Sequence, residues 1–218
     1  MSQLTSGSMS TQERSITVKG DGRIKVKPDT ATLNLGVQAT ARTATEALAQ
    51  ANTSAAALIA ALKAGGVGND DIATSGLSIY PQYNQGGVAV SAYQASNNVT
   101  VIVRDVSKAG PLIDVAASSA GDHITVGGVS FSVDDAEAVM GSARAEAIDN
   151  ARKRAEEYAA AAGVTVGGVV QISELSTGGP QPVFAMAASM RAVMDSPTPI
   201  EAGMQDLSVS VTVVFDLL

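Results

Sequence analysis

Apolar residues along this chain recur at two spacings, every second residue or every third and fourth. The longest stretch of the second kind runs from Asp134 to Gly163. Met140, Ala143, Ala147, Ile148, Ala151, Ala155, Tyr158, Ala159 and Ala162 fall on one face there, which predicts a helix. Asp134 with Glu137 reads as its capping box and Gly163 as its left-handed stop. Asp149, Lys153, Glu156 and Glu157 lie on the opposite face. At ~1.5 Å per residue the rod is roughly 40 Å long. Its alanine stripe lets it lie close on a sheet, and its length is enough to reach a neighbouring subunit.

The alternating stretches supply that sheet. Ile16–Val26 reads as a hairpin turning at Gly20-Asp21-Gly22. Leu33, Leu35 and Val37 alternate in a strand over Thr30–Thr40. A helix follows over Ala44–Ala64, boxed by Thr43 and Glu46 and stopped at Gly65-Gly66. Asp71–Tyr83 and Tyr93–Asp105 are paired strands joined through Gln85-Gly86-Gly87. A short helix over Ser107–Ala120 and a strand over His123–Val133, with a bulge at Gly127-Gly128, complete a βαββαβ order of the ferredoxin-like kind. After the long helix come strands over Val164–Leu175 and Glu201–Leu218, separated by a proline-bearing loop over 176–199. The expected class is α+β, with a mixed, largely antiparallel sheet or two sheets covered on one side by three helices.

Composition narrows the function more than the fold. Aromatic residues are 3% of the chain, so the core must be built from Val, Ile, Leu and Ala. A net charge of −7 without a basic run argues against nucleic acid and against anionic membrane surfaces. With no cysteine there is no disulfide, thiolate metal site or cysteine nucleophile. No apolar run is long enough to span a bilayer. Residues 1–14 include MSQLTSGSMSTQ, which has neither the basic start nor the apolar core of a secretory signal. They read as a disordered tail, or as a cloning remnant standing where a leader was removed.

Several segments taken in order resemble the SIMPL domain family of bacterial periplasmic and envelope proteins. They are ITVKGDGRIKVKPDTATLNLGV, DIATSGLSIYPQY and SFSVDDAEAVMGSARAEAIDNARKRAEEYAAAAGV. The landmarks are Pro28-Asp29-Thr30-Ala31, Asp71-Ile72-Ala73-Thr74, Tyr80-Pro81-Gln82-Tyr83 and Ala143-Arg144-Ala145-Glu146-Ala147. The resemblance implies one domain over residues 15–218, with a βαββαβ-containing part at 15–133 and the long helix plus two strands at 134–218. It also implies a periplasmic, envelope or extracellular protein, tethered to the membrane if the missing leader carries a lipid. Self-assembly into ring-like or higher homo-oligomers, of scaffold or channel-like character, and a loose link to oxidative-stress tolerance are implied as well. The family brings no catalytic residues.

Candidate chemistry is sparse. Arg144 falls within the alanine stripe, so it either meets an anionic ligand or interface carboxylate, or pairs locally with its stem on apolar surface. Met186, Met190 and Met194 stand four apart in the 176–199 loop. They read as a soft Cu(I) site, a sulfoxide sink, or an adaptable apolar patch. Tyr80, Tyr83 and Tyr93 place three tyrosines on one hairpin, suited to a subunit interface or simply exposed. His123, the only histidine, cannot make a two-histidine metal site. Nucleophile elbow, Walker loop and HExxH are all absent from the sequence. The expectation is therefore a non-enzymatic homo-oligomer with no cofactor, no metal and no catalytic residue. The alternative is a small-ligand or metal-binding module using the Met-rich loop or the Arg144 region.

Overall fold

The structure is a computed structural model that describes residues 14–84, 86–175, 181–182 and 198–218. In chain order the main elements are β1 (Ser15–Val26), β2 (Thr30–Ala41), α1 (Ala44–Ala64), β3 (Ile72–Tyr83), β4 (Val90–Val103), α2 (Ala109–Ala120), β5 (Ile124–Ser132), α3 (Ala136–Ala162), β6 (Val166–Leu175), β7 (Gln181–Pro182) and β8 (Gln205–Leu217). The fold is α+β, with two antiparallel sheets. The chain divides into two compact units, one of Met1–Val26, Asp135–Pro182 and Asp206–Leu218, the other of Lys27–Asp134 and Val183–Gln205.

The unit that begins at Lys27 carries the βαββαβ order in the sheet order β3-β4-β2-β5. The two helices supply one roof. Ala31, Leu33, Leu35, Val37 and Ala39 of β2 share a face with Ala95, Val99, Val101 and Val103 of β4, and all are buried. Leu58 and Leu62 of α1 and Leu112 and Ile113 of α2 join the same core. Each such side chain contributes about 1.5–3 kcal/mol relative to exposure. The other face of the sheet holds Asn34, Gln38, Thr40 and Asn98, all exposed to water. One-sided burial is what an antiparallel sheet permits. β5 shows the expected bulge: its register with β2 shifts at Asn34/Leu35, leaving Gly127 unpaired and Gly128 at φ +135°.

The other unit orders its strands β1-β8-β6, with β7 beside β8, under α3. Here two expectations are corrected. Ile16–Val26 is not a hairpin. It is one continuous strand whose inward positions are Ile16, Val18, Gly20, Gly22, Ile24 and Val26. The glycines are contact points for α3. A Cβ at Gly20 would lie 1.9 Å from the Ala147 carbonyl oxygen, and one at Gly22 would lie 1.9 Å from that of Ala143. Helix backbone thus rests directly on strand backbone, which only glycine on one side and alanine on the other allow. β1 therefore pairs with β8 and belongs with α3, apart from the βαββαβ strands.

The second correction is at the helix start. Asp135, not Asp134, is the N-cap, and its Oδ1 accepts the Ala138 N–H at 2.9 Å. Glu137 turns to Arg144 instead of closing a box. Gly163 ends the helix in the left-handed conformation at φ 71°. Ala143, Ala147, Ala151, Ala155 and Ala159 are buried as the stripe predicts, but Tyr158 is 65% exposed and Ala162 is also exposed. The stripe runs off the sheet before the helix ends.

As the end strand of its sheet, β1 would show a row of unpaired backbone groups to water. Three α3 side chains spaced four apart meet that row. Glu146 Oε2 accepts the Arg23 N–H at 2.8 Å, Asn150 Nδ2 donates to the Asp21 carbonyl at 2.8 Å, and Arg154 Nη1 donates to the Lys19 carbonyl at 2.7 Å. The helix both covers β1 and closes its free edge, one of the ways proteins keep an edge from templating aggregation.

Candidate functional site

Arg144 sits on the flank of the alanine stripe, half-buried, with its charge fully committed. Its Nη1 lies 2.6 Å from Glu137 Oε1 and its Nη2 3.1 Å from Glu137 Oε2, one fork on the same helix. Its Nε lies 3.0 Å from Glu174 Oε2 on β6, a second fork. The helix places Glu137 two turns back on the same face, and the β6 pleat points Glu174 toward the helix. Two carboxylates around one guanidinium leave an excess of negative charge, so an anionic ligand has nothing to gain there. The Glu137 and Glu174 hydrogen bonds raise the Arg144 pKa. In turn Arg144 holds the Glu137 carboxyl below its ordinary 4.5.

A test follows from that lowered carboxyl. Stability from it is present above the unfolded value of 4.5 and is lost as pH falls through the lower folded value. Arg144→Ala is expected to lower the urea midpoint modestly at neutral pH, since the group is solvent-screened. The gap to wild type should narrow as pH falls below 4.5 and close once the Glu137 carboxyl is protonated in the folded state. A gap that persists in acid would assign the loss to the packing of the side-chain stem instead.

Arg104 is a second double pair, and the sequence reading did not single it out. Its Nη2 lies 3.0 Å from Asp71 Oδ1 and its Nη1 3.2 Å from Asp134 Oδ2. Both pairs raise the Arg104 pKa, Asp71 most. Nearby, Asp29 Oδ1 accepts the Asp134 N–H at 2.9 Å and the Thr30 hydroxyl at 2.9 Å, and these hydrogen bonds lower its pKa. Asp29 and Asp71, two residues of the family-like landmarks, thus tie the ends of β2, β3 and β5 together. The available signal was that no charged residue occurs between Asp71 and Arg104, so the two charges bracket an uncharged pair of strands.

Arg104 and Asp105 border two hollows. One of about 260 Å³ is floored by Gly65–Gly68 and Ile102–Asp105, and one of about 580 Å³ lies between Lys27–Asp29 and Ile200–Met204. Both are open to solvent, and the second is lined partly by apolar side chains such as Val106 and Ile200. Asp29, Asp71 and Asp105 around them are employed in holding the chain, and Asp105 accepts the hydroxyl and the N–H of Ser107, which lowers its pKa. A lowered carboxyl is a poor general acid at neutral pH. His123 stands in a turn before β5 with Nδ1 3.0 Å from the Gln38 carbonyl oxygen. Among the described residues no group of three or more His, Asp or Glu could hold a metal ion.

The tyrosines separate. Tyr80 and Tyr83 on β3 are 64% and 58% exposed, whereas Tyr93 on β4 packs against the core. The hairpin loop is shaped by Asn84, whose Oδ1 accepts the Val88 N–H, and by Gly87 at φ 67°. Met186, Met190 and Met194, with nearly all of the 176–199 loop, lie outside the described residues. Among the described residues no helix is long and apolar enough to cross a membrane.

The apolar side chains left in water are concentrated on two end strands. β3 exposes Leu77 and Ile79 beside Tyr80, and β6 exposes Val169, Val170, Ile172 and Leu175. Beyond this geometry, the chain is similar to known proteins along nearly its whole length. The pattern of the SIMPL family, described as "Protein of unknown function (DUF541)", matches residues 16–215. The 26 kDa periplasmic immunogenic protein of Brucella melitensis biotype 1 is 34% identical over 221 residues, 96% of this chain and 87% of that protein. The uncharacterized protein YggE of Escherichia coli K12 is 29% identical over 205 residues, 93% of this chain and 82% of that protein. With the family pattern spanning both units and a relative of that identity covering nearly all of the chain, this protein belongs to the SIMPL family.

Proposed function

We propose that this chain is a cell-envelope protein that works as a homo-oligomeric assembly, a scaffold or channel-like body, and not as a catalyst. The periplasmic name carried by the Brucella relative supports the compartment. One observation carries the assembly: both end strands, β3 and β6, hold exposed Leu, Ile, Val and Tyr side chains. Clustered exposed apolar residues mark interaction sites. Against the alternative of an anion-binding module stands the state of Arg144, whose guanidinium is already held by two carboxylates. Loss of oxidative-stress tolerance on deletion of the gene would be the cellular consequence of losing such an assembly.

The experiment is light scattering on the purified protein across a wide concentration range. A mass that is a multiple of 21.9 kDa above one is expected. A monomer at every concentration would overturn the assembly and return attention to small ligands, which a thermal-shift screen with anions, metals and lipids would then find.

A further inference from the structure

The β3-β4-β2-β5 sheet has no Asp, Glu, Lys, Arg or His in any of its four strands. The chain as a whole carries 35 such acidic and basic side chains besides its one histidine, 14 Lys+Arg plus 21 Asp+Glu. End strands are usually guarded by charge, by proline, by a bulge or by a covering element. β1 is guarded by α3, and β6 carries the Arg144-bound Glu174. β3 has only punctuation. Its register with β4 shifts at Thr74/Gly76 and again at Gln82/Tyr83, and Pro81 has no N–H to give. Between these breaks lies one regular run, Gly76–Tyr80.

We infer that this run pairs with the same run of a second copy of the chain, antiparallel and centred on Ser78. The inference rests on the self-assembly reading and names its surface. The run is self-complementary about its middle. Leu77 and Ile79 stand opposite Asn97 and Ala95 of β4, so both point to the helix-covered face, where they are 59% and 38% exposed. Turned on itself about Ser78, the run sets Leu77 against Ile79 of the second copy and Ile79 against its Leu77. Four aliphatic side chains then form one row and leave water together. On the other face Tyr80 meets Gly76 of the second copy, where an aromatic ring covers the bare backbone of a glycine. Ser78 meets Ser78.

Charge selects the occupant. Each copy carries −7, so two copies repel over most approaches. A strand edge without charge is where a second copy meets the least of that repulsion. The backbone groups of the run supply the ladder, as in strand addition to an open edge.

The register makes the test specific, and the absence of native cysteine makes it clean. Directly opposed residues on antiparallel strands have Cα atoms about 4.5–5.5 Å apart, within the disulfide range of about 4.4–6.8 Å. Under mild oxidation Ser78→Cys should therefore cross-link to itself, giving a band of twice the monomer mass on a non-reducing gel. Leu77→Cys and Ile79→Cys should each fail alone and cross-link when mixed. Val126→Cys, on the bulged β5 edge, serves as the collision control. If Ser78→Cys cross-links no faster than that control while light scattering still finds a multimer, the β3 edge is not the contact, although self-assembly stands. Self-cross-linking of Leu77→Cys alone would also overturn the stated register. A monomer in solution removes both readings at once.

Discussion

Gly20→Val is expected to unfold the unit built on α3 more effectively than any surface change in the protein. The added Cβ would stand 1.9 Å from the Ala147 carbonyl oxygen and 2.8 Å from the Ala151 nitrogen, and both are backbone atoms of a 27-residue helix. A flexible side chain could swing away, but a helix backbone cannot. Relief requires lifting α3 off β1, which opens Val18, Val209, Val211 and the alanine stripe to water. Overpacking alone costs about 1–3 kcal/mol, and separation of the layers adds to it. A loss of at least ~3 kcal/mol follows, in the range reserved for named core defects. Urea denaturation followed by circular dichroism gives the midpoint directly. A variant that keeps the wild-type midpoint would mean that α3 does not rest on β1. Gly22→Val, facing Ala143, should behave alike.

Phe215→Ala is the complementary experiment, a void in place of a clash. Phe215 is fully buried on β8, the largest side chain in a core otherwise made of valine and alanine. Its ring also lies 5.3 Å from the Arg152 guanidinium carbon. Truncation of such a residue costs about 3–5 kcal/mol, and small neighbours with short side chains cannot collapse into the space. The same denaturation measurement applies. A loss below about 1 kcal/mol would show that the layer repacks easily.

These two residues also show where sequence stops being legible. Phe215 was readable: Leu207, Val209, Val211, Val213 and Phe215 alternate without a break, and a half-buried strand is the one structure with that period. The βαββαβ order was readable for the same reason, because each element carries its own period and its own caps. Gly20 was not. Gly-Asp-Gly is a local turn signal, and what makes it strand is a helix more than a hundred residues further on. The clue overlooked was phase. Apolar or glycine residues occupy every even position from 16 to 26, whereas a three-residue turn has no need to keep that beat. At the cap, Asp134 and Asp135 both fit the pattern. The choice fell to distant partners, since Arg104 and Asp29 engage Asp134. Likewise a helical wheel put Arg144 in the stripe, but Glu174, thirty residues later on β6, fixed where its charge points. Of the tyrosines, Tyr93 shares the helix-covered face with Ala95 while Tyr80 lies on the other face, and only the pairing of the strands fixes which face α1 and α2 cover.

The seam between β1 and α3 has a consequence for synthesis. β8, which lies between β1 and β6, leaves the ribosome long after β1. The Ser210–Asp21 hydrogen bond joins residues 189 apart in the chain. The ladders of β2, β3, β4 and β5 close within residues 27–134, so that sheet can form while translation continues. The flanking pieces must wait for β8, and closing so long a loop is slow. A nascent or exported chain therefore passes through a stage with one half finished and the other still unwound, and any factor that accompanies this protein would meet it in that form.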